Sequence, residues 1–154
     1  MQQRDLEDVE ALLQQLRRAG PAEEQAATLL LKEAREFLAK GQWGPTATAY
    51  GEAALYKPTT QTLIDYATAR VMIDRVRPVK QEALDAKLRD FEGAIKLYRV
   101  AIDFGERSGM PLSAEQHREV DEKIACLERF SKELNTAQPG CQLVSDALKV
   151  SKIT

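Results

Sequence analysis

The fold of this chain is decided by two stretches that share one pattern, WGPTATAYGEA at positions 43–53 and FEGAIKLYRVA at positions 91–101. Each stretch has a large aromatic residue, a small residue three positions on, a second aromatic four positions later, and alanine three positions after that. Spacings of three and four place these side chains on one helix face, where the small ones let another helix approach closely. The constant offset of 48 residues therefore predicts an internal duplication of packed helices.

Helical periodicity continues on both sides of these stretches, whereas alternating polar and apolar residues never persist long enough for a strand. We predict an all-α fold of six or seven helices in one domain, built from antiparallel helical hairpins with extra helices at both ends. The predicted segments are an N-terminal helix at 1–20, hairpins at 22–58 and 59–104, a capping helix at 113–136 and a C-terminal tail at 141–154.

Residues typical of helix starts mark several of these boundaries. Pro45 suits the first position of the third helix, and Thr59 or Thr60 is a candidate N-cap for the fourth. Ser113 and Gln116 have the spacing of a capping box, in which each side chain bonds the backbone of the other residue. A helix start is therefore predicted near 113.

The same stretches resemble the tetratricopeptide repeat, a 34-residue helix-turn-helix unit. The signature positions matched in the first unit are Leu30, Ala34, Phe37, Gly41, Trp43, Tyr50, Ala53 and Pro58. Glu33 and Thr46 depart from the family pattern, which has a large apolar residue and an alanine there. The second unit matches with its halves separated by an insertion at 73–87, so the chain resembles a divergent array of about two repeats.

The resemblance implies a concave surface, lined by the first helix of each unit, that holds a segment of a partner protein. The implied residues are Thr28, Leu31, Arg35 and Leu38 from the first unit and Thr62, Asp65, Ala69 and Met72 from the second. Arg35 and Asp65 would orient polar groups of the partner, and the large apolar residues would receive its anchors. The alternative is that the first or sixth helix fills this groove and that these residues belong to the core.

A second candidate surface is the positive charge around the insertion. Its residues are Arg70, Arg75, Arg77 and Lys80, which could contact phosphate or an acidic partner. Asp74 and other nearby carboxylates favour the alternative of a solvated corner.

No catalytic residue, metal site or cofactor is predicted. His117 is the only histidine, so one chain cannot form a multi-histidine metal site. Cys126 follows the apolar face of its helix and is interpreted as a small buried hydrophobe, while Cys141 has no nearby sequence partner that would lower its pKa. A small helical enzyme is therefore the least favoured function.

Charge and hydropathy limit the partners. The 24 acidic and 22 basic residues are interspersed, and the net charge of -2 favours neither nucleic acid nor an anionic membrane. No apolar run approaches the length of a membrane span, so we expect no direct membrane insertion of this chain. The cytoplasm is the default compartment, and a soluble domain cut from an exported or membrane-anchored protein is the open alternative.

These observations predict a non-catalytic protein–protein interaction module that binds another protein or a peptide segment. It would act as a scaffold or adaptor, or as a subunit or chaperone of an assembly. The alternative is a self-associating structural module, in which an exposed helix packs against a second copy of the chain to form a homodimer.

Overall fold

The computed structural model describes residues 2–132 and 141–153, without the side chains of residues 131 and 132. This part of the chain is helical and has no strand, which confirms the all-α prediction. Its elements are a 3-10 turn at Gln3–Glu7 and the helices α1 (Val9–Arg18), α2 (Pro21–Ala39), α3 (Trp43–Tyr56), α4 (Thr60–Met72), α5 (Lys80–Ser108), α6 (Ala114–Lys132) and α7 (Gln142–Val150).

The helices from α2 to α6 pack in chain order, each against the next. The 3-10 turn and α1 lie against α3 and α5, whereas α7 lies against α4 and α6. Alternate helices therefore form two layers: α2, α4 and α6 on one side, and α3 and α5 on the other. Each terminal segment covers a different layer.

The aromatic residues of the duplicated pattern lie in the core. Phe91 and Tyr98 are fully buried and Tyr50 nearly so, while Trp43 is half-buried at the start of α3. The Phe91 ring meets the Phe130 ring edge-on, with centroids 5.6 Å apart. The pattern therefore serves helix packing, and its alanines at 53, 94 and 101 are completely enclosed.

A smaller apolar cluster joins α2 to its neighbours. Its buried members are Ala34, Ala47, Ala49, Tyr50 and Ala69, which come from α2, α3 and α4. Ala34 and Ala27 are the only residues of α2 that the fold buries. Helix α2 is therefore the edge of the array, held along a narrow strip of small side chains.

Several helix ends follow the predicted caps. The Thr59 hydroxyl accepts the backbone N–H of Thr62 at 3.1 Å. The backbone N–H of Ser113 donates to the Gln116 amide oxygen, and that of Gln116 donates to the Ser113 hydroxyl, both at 3.1 Å. These two predictions are confirmed.

Other boundaries differ from the expectation. The N-terminal segment, expected as one helix over 1–20, is divided at Asp8, whose carboxylate accepts backbone N–H groups of Glu10 and Ala11 and so starts a new helix. Helix α3 begins two residues before Pro45. Helix α5 continues to Ser108 and ends at Gly109, which has a φ of 80° that glycine adopts readily.

The two cysteines form a disulfide bond. Cys126 is buried on α6, as expected, but it is bonded to Cys141 at the start of α7, and their Cα atoms are 5.9 Å apart. This pairing was not predicted, because it depends on α7 folding back against α6.

Polar contacts hold the other end of α7 and the connection between α4 and α5. The Ser151 hydroxyl accepts the backbone N–H of Arg75 at 2.9 Å. The Arg75 guanidinium donates from Nε and Nη2 to both oxygens of the buried Asp90 carboxylate, at 2.8 and 2.9 Å. The segment at 73–79, part of the predicted insertion, is thus fixed to both α5 and α7.

Lys87 is a fully buried charged residue beneath this connection. Its ammonium group donates to the carbonyl oxygens of Val71 and Ile73, at the C-terminal end of α4, where helix carbonyls lack intrahelical partners. It also lies 5.7 Å from the centroid of the Phe91 ring. Burial lowers the pKa of Lys87 to about 8.

Candidate functional site

The candidate residues on α2 lie together on an exposed face. Thr28, Leu31, Arg35 and Leu38 follow one another at intervals of three and four residues, so they line one side of the helix. Thr28 and Arg35 are exposed, Leu38 is 38% exposed, and Leu31 is half-buried against the alanine cluster. This row is open to a partner along most of α2.

The candidate residues on α4 are mostly buried. Thr62 bonds to Thr59 at the N-terminal cap, Ala69 belongs to the alanine cluster, and Met72 belongs to the main core. Their exposed fractions are 4%, 1% and 8%. Asp65 is half-buried, and it is the residue of this row that keeps a polar group near the surface.

Charges from three helices meet around Asp65. Burial raises the pKa of Asp65, whereas the hydrogen bond from Gln61 and the charge of Lys123 on α6 lower it. Burial also raises the pKa of Tyr50, and the charges of Asp65 and Arg35 act on the same phenol in opposite directions. Asp65 therefore lies within electrostatic range of Lys123 on α6, and Arg35 and Asp65 both lie within range of Tyr50. We call Arg35, Asp65 and Lys123, with Thr28, Leu31 and Leu38, the groove face.

Lys123 was missed in the sequence because α6 was expected to be a cap. The apolar residues Val120, Ile124 and Leu127 set the buried side of α6, and Lys123 lies at its border, half-buried. If α6 had been interpreted as the first helix of a third repeat unit, Lys123 would have become a candidate for the groove face.

Neither the first nor the sixth helix covers the layer formed by α2, α4 and α6. The first helix, α1, packs on the opposite layer, and α6 extends the candidate layer instead of filling it. The covering helix is α7, which crosses from Cys126 on α6 to the C-terminal end of α4, where Ser151 also accepts Arg75. Met72 lies at the covered end, while the α2 row lies away from α7.

The second candidate surface is divided by the fold. Arg70 and Arg75 line one cleft, which also contains Arg4 of the 3-10 turn. Arg77 and Lys80 are exposed outside that cleft, and Arg77 donates to the carbonyl oxygen of Val76. Of the four residues predicted as one patch, Arg70 and Arg75 therefore share a cleft that Arg77 and Lys80 do not line.

His117, the only histidine in the sequence, pairs with a carboxylate of its own helix. His117 Nδ1 lies 2.9 Å from the Asp121 carboxylate, one turn further along the exposed side of α6. Among residues 2–132 and 141–153, no group of three or more His, Cys, Asp or Glu side chains is placed to hold a metal ion. No described helix has both the length and the apolar composition that a membrane crossing requires.

Comparison of the chain with models of known protein families, with curated proteins and with solved structures finds no match.

Proposed function

We propose that this chain is a protein-binding module of the tetratricopeptide-like type that holds a partner segment on the groove face. It would act as a scaffold or adaptor, or as a subunit or chaperone of an assembly. Two features support the repeat assignment: the signature residues of the first unit, and the zigzag packing of α2 to α5 as successive hairpins.

The observation that carries the proposal is the open apolar row on α2. This helix has 19 residues and buries only Ala27 and Ala34. Leu31 and Leu38 therefore keep apolar surface in water on either side of Arg35. Two leucines about two turns apart on an open face can receive the apolar anchors that a partner helix presents at this spacing.

The order of charges across the groove face favours a partner segment with complementary charges. Arg35 and Lys123 are positive and come from the two outer helices of the layer, while Asp65 between them is negative. Asp65 accepts one hydrogen bond, from Gln61 at 3.0 Å, and a carboxylate can accept several more. A partner segment with acidic groups flanking a basic or amide group would complement this order of charges.

Self-association is the second candidate. Leu29 on α2 is 58% exposed, so the edge helix carries apolar surface beyond the groove face. A second copy packed on α2 would bury Leu29 and continue the array. This reading requires a dimer in the purified protein, whereas the groove proposal does not.

The proposal is tested by capturing partners from a lysate of the native organism with a double charge reversal, Arg35→Glu/Asp65→Lys. The matched control is Glu33→Lys/Arg89→Glu, which also leaves the net charge unchanged: both residues are exposed, Glu33 lies on α2 but faces away from Arg35, and Arg89 lies on α5. Light scattering first establishes that all three forms are folded and equal in mass.

We expect one specific protein to be captured by the wild type and the control and lost with the Arg35→Glu/Asp65→Lys variant. Capture of the same proteins by all forms would count against the groove face. A dimer with no captured partner would instead favour self-association.

A further inference from the structure

A cleft of about 590 Å³ opens on a different side of the molecule from the groove face. It lies between the 3-10 turn, α3, α4 and the start of the α4–α5 connection. Its polar lining is formed by Gln3, Arg4, Glu7, Thr48, Tyr66, Arg70 and Arg75. Clefts of this volume are of the size that holds small organic ligands.

Arg70 is seated in this cleft by a glycine of the neighbouring helix. Gly93 lies in the middle of α5, where glycine is less favourable than alanine by about 1 kcal/mol. A Cβ atom built on Gly93 would lie 2.4 Å from Cζ of Arg70 and 2.6 Å from its Nη2. The missing side chain therefore makes the room in which the Arg70 guanidinium rests against α5.

The positive charge of the cleft is only partly compensated. Arg75 is neutralised by Asp90, with which it shares two hydrogen bonds. In the described part of the chain, neither Arg70 nor Arg4 takes part in an ion pair. Glu7 is the carboxylate that lines the cleft itself, so one positive charge is in excess.

Tyr66 forms an aromatic wall beside these charges. Its hydroxyl donates to the side-chain oxygen of Gln3 at 3.3 Å. Burial raises the pKa of Tyr66, the charge of Arg70 and a hydrogen bond from it lower this pKa, and the charges of Glu7 and Asp90 raise it. A ligand in the cleft would meet the side chains of Tyr66 and Arg70 together, since both line it.

We propose that this cleft binds an oxyanion, phosphate or carboxylate, carried by a small organic molecule. The guanidinium group presents donors in a planar fork that matches both anions, and Arg70 is held in position without a carboxylate of its own. This binding is separate from partner binding on the groove face and does not depend on it.

The test is calorimetric titration of the full chain at constant ionic strength with pyrophosphate and, separately, with citrate, accompanied by backbone NMR. We expect saturable binding of at least one anion, with shifts confined to the residues of the cleft. Arg70→Gln should weaken binding about tenfold or more, since a charge-assisted bidentate contact is lost. The control Arg77→Gln, outside the cleft, should leave the Kd unchanged.

Gly93→Ala distinguishes a built site from charge alone. It keeps every charge and favours the helix, but its methyl group displaces the Arg70 guanidinium. We expect the same loss of binding as with Arg70→Gln in protein whose circular dichroism is unchanged.

Stronger binding of pyrophosphate would identify a phosphate ligand, and stronger binding of citrate a carboxylate ligand. The proposal is overturned if neither anion saturates by about 10 mM, a concentration above weak small-ligand Kd values. It is equally overturned if Arg70→Gln and Gly93→Ala bind as the wild type does.

Discussion

At the scale of single residues, Lys87 is a charged group whose burial lowers the stability of the fold. Its ammonium is removed from water and has no carboxylate in direct contact, although the more distant Asp90 favours its charged form. It is retained at a position where its donors satisfy two carbonyl oxygens at the end of α4. Burying this ammonium group lowers the stability of the fold, but its hydrogen bonds fix the C-terminal end of α4.

The lowered pKa of Lys87 predicts how stability depends on pH. Between the folded pKa of about 8 and the ordinary value of 10.5, the unfolded chain binds the proton and the folded chain does not, so raising the pH favours folding. Below pH 8 both states are protonated and the folded state carries the full cost. Relative to Lys87→Met, the wild type should therefore gain about 2 kcal/mol of unfolding free energy between pH 7 and pH 10.

This difference is measured by urea unfolding of both proteins at several pH values. Burial raises the pKa of Tyr98 to about 12, so Tyr98 stabilises the fold less as the pH rises past 10. Both proteins contain Tyr98, and its contribution therefore cancels in the difference. A difference that stays constant from pH 7 to pH 10 would mean that Lys87 keeps its ordinary pKa in the fold.

At the scale of elements, α7 depends on fixed contacts at both of its ends. The Cys126–Cys141 bond holds its start against α6, and Ser151 joins its end to the backbone of Arg75. Between these points α7 buries Val144, Ala147 and Leu148, which is a small apolar area for nine residues. A helix this short has little stability of its own, so the covalent link decides whether it stays docked.

Removing the disulfide should release α7 before the rest of the fold. For a link that closes a loop of this length, the variant Cys126→Ser/Cys141→Ser should lose about 3 kcal/mol of unfolding free energy. In hydrogen exchange, the amides of α7 and of Arg75 should lose protection while those of α3 and α4 keep it. Unchanged protection of α7 in this variant would show that packing alone holds the helix.

The elements were predictable to different extents. Periodicity located the helices, and local chemistry at Thr59 and Ser113 located two starts, because these signals act within a few residues. The division at Asp8 was missed, although aspartate before an apolar run is itself a cap signal. The pairing of Cys126 with Cys141 depends on the tertiary path of the chain, which no local signal specifies.

At the scale of the whole molecule, the groove face was partly predictable. The row on α2 is exposed as expected because α2 is the edge of the array and no helix of the described residues packs on its outer side. On α4 the same spacing points into the packed interior, since α4 has neighbours on several sides, and Thr62, Ala69 and Met72 are buried. Sequence spacing gives the side of a helix, but not what lies opposite that side.

The two layers also separate the two proposed sites. Asp65 and Tyr66 are consecutive residues of α4, yet Asp65 belongs to the groove face and Tyr66 lines the cleft that contains Arg70, since consecutive helical residues point about 100° apart. One helix therefore supports both surfaces, although Tyr66 and Leu31 of the groove face pack against the same alanine cluster.

The most direct test of the central claim is site-specific photo-cross-linking of the native partner. A photoreactive phenylalanine derivative replaces Leu31 or Leu38 on the groove face and, as the control, the exposed Lys96 on the opposite layer. If the groove face binds the partner, one adduct with the same foreign protein is expected from Leu31 and Leu38 and none from Lys96. The same adduct from all three positions, or an adduct with the mass of two copies of this chain, would contradict binding on this face.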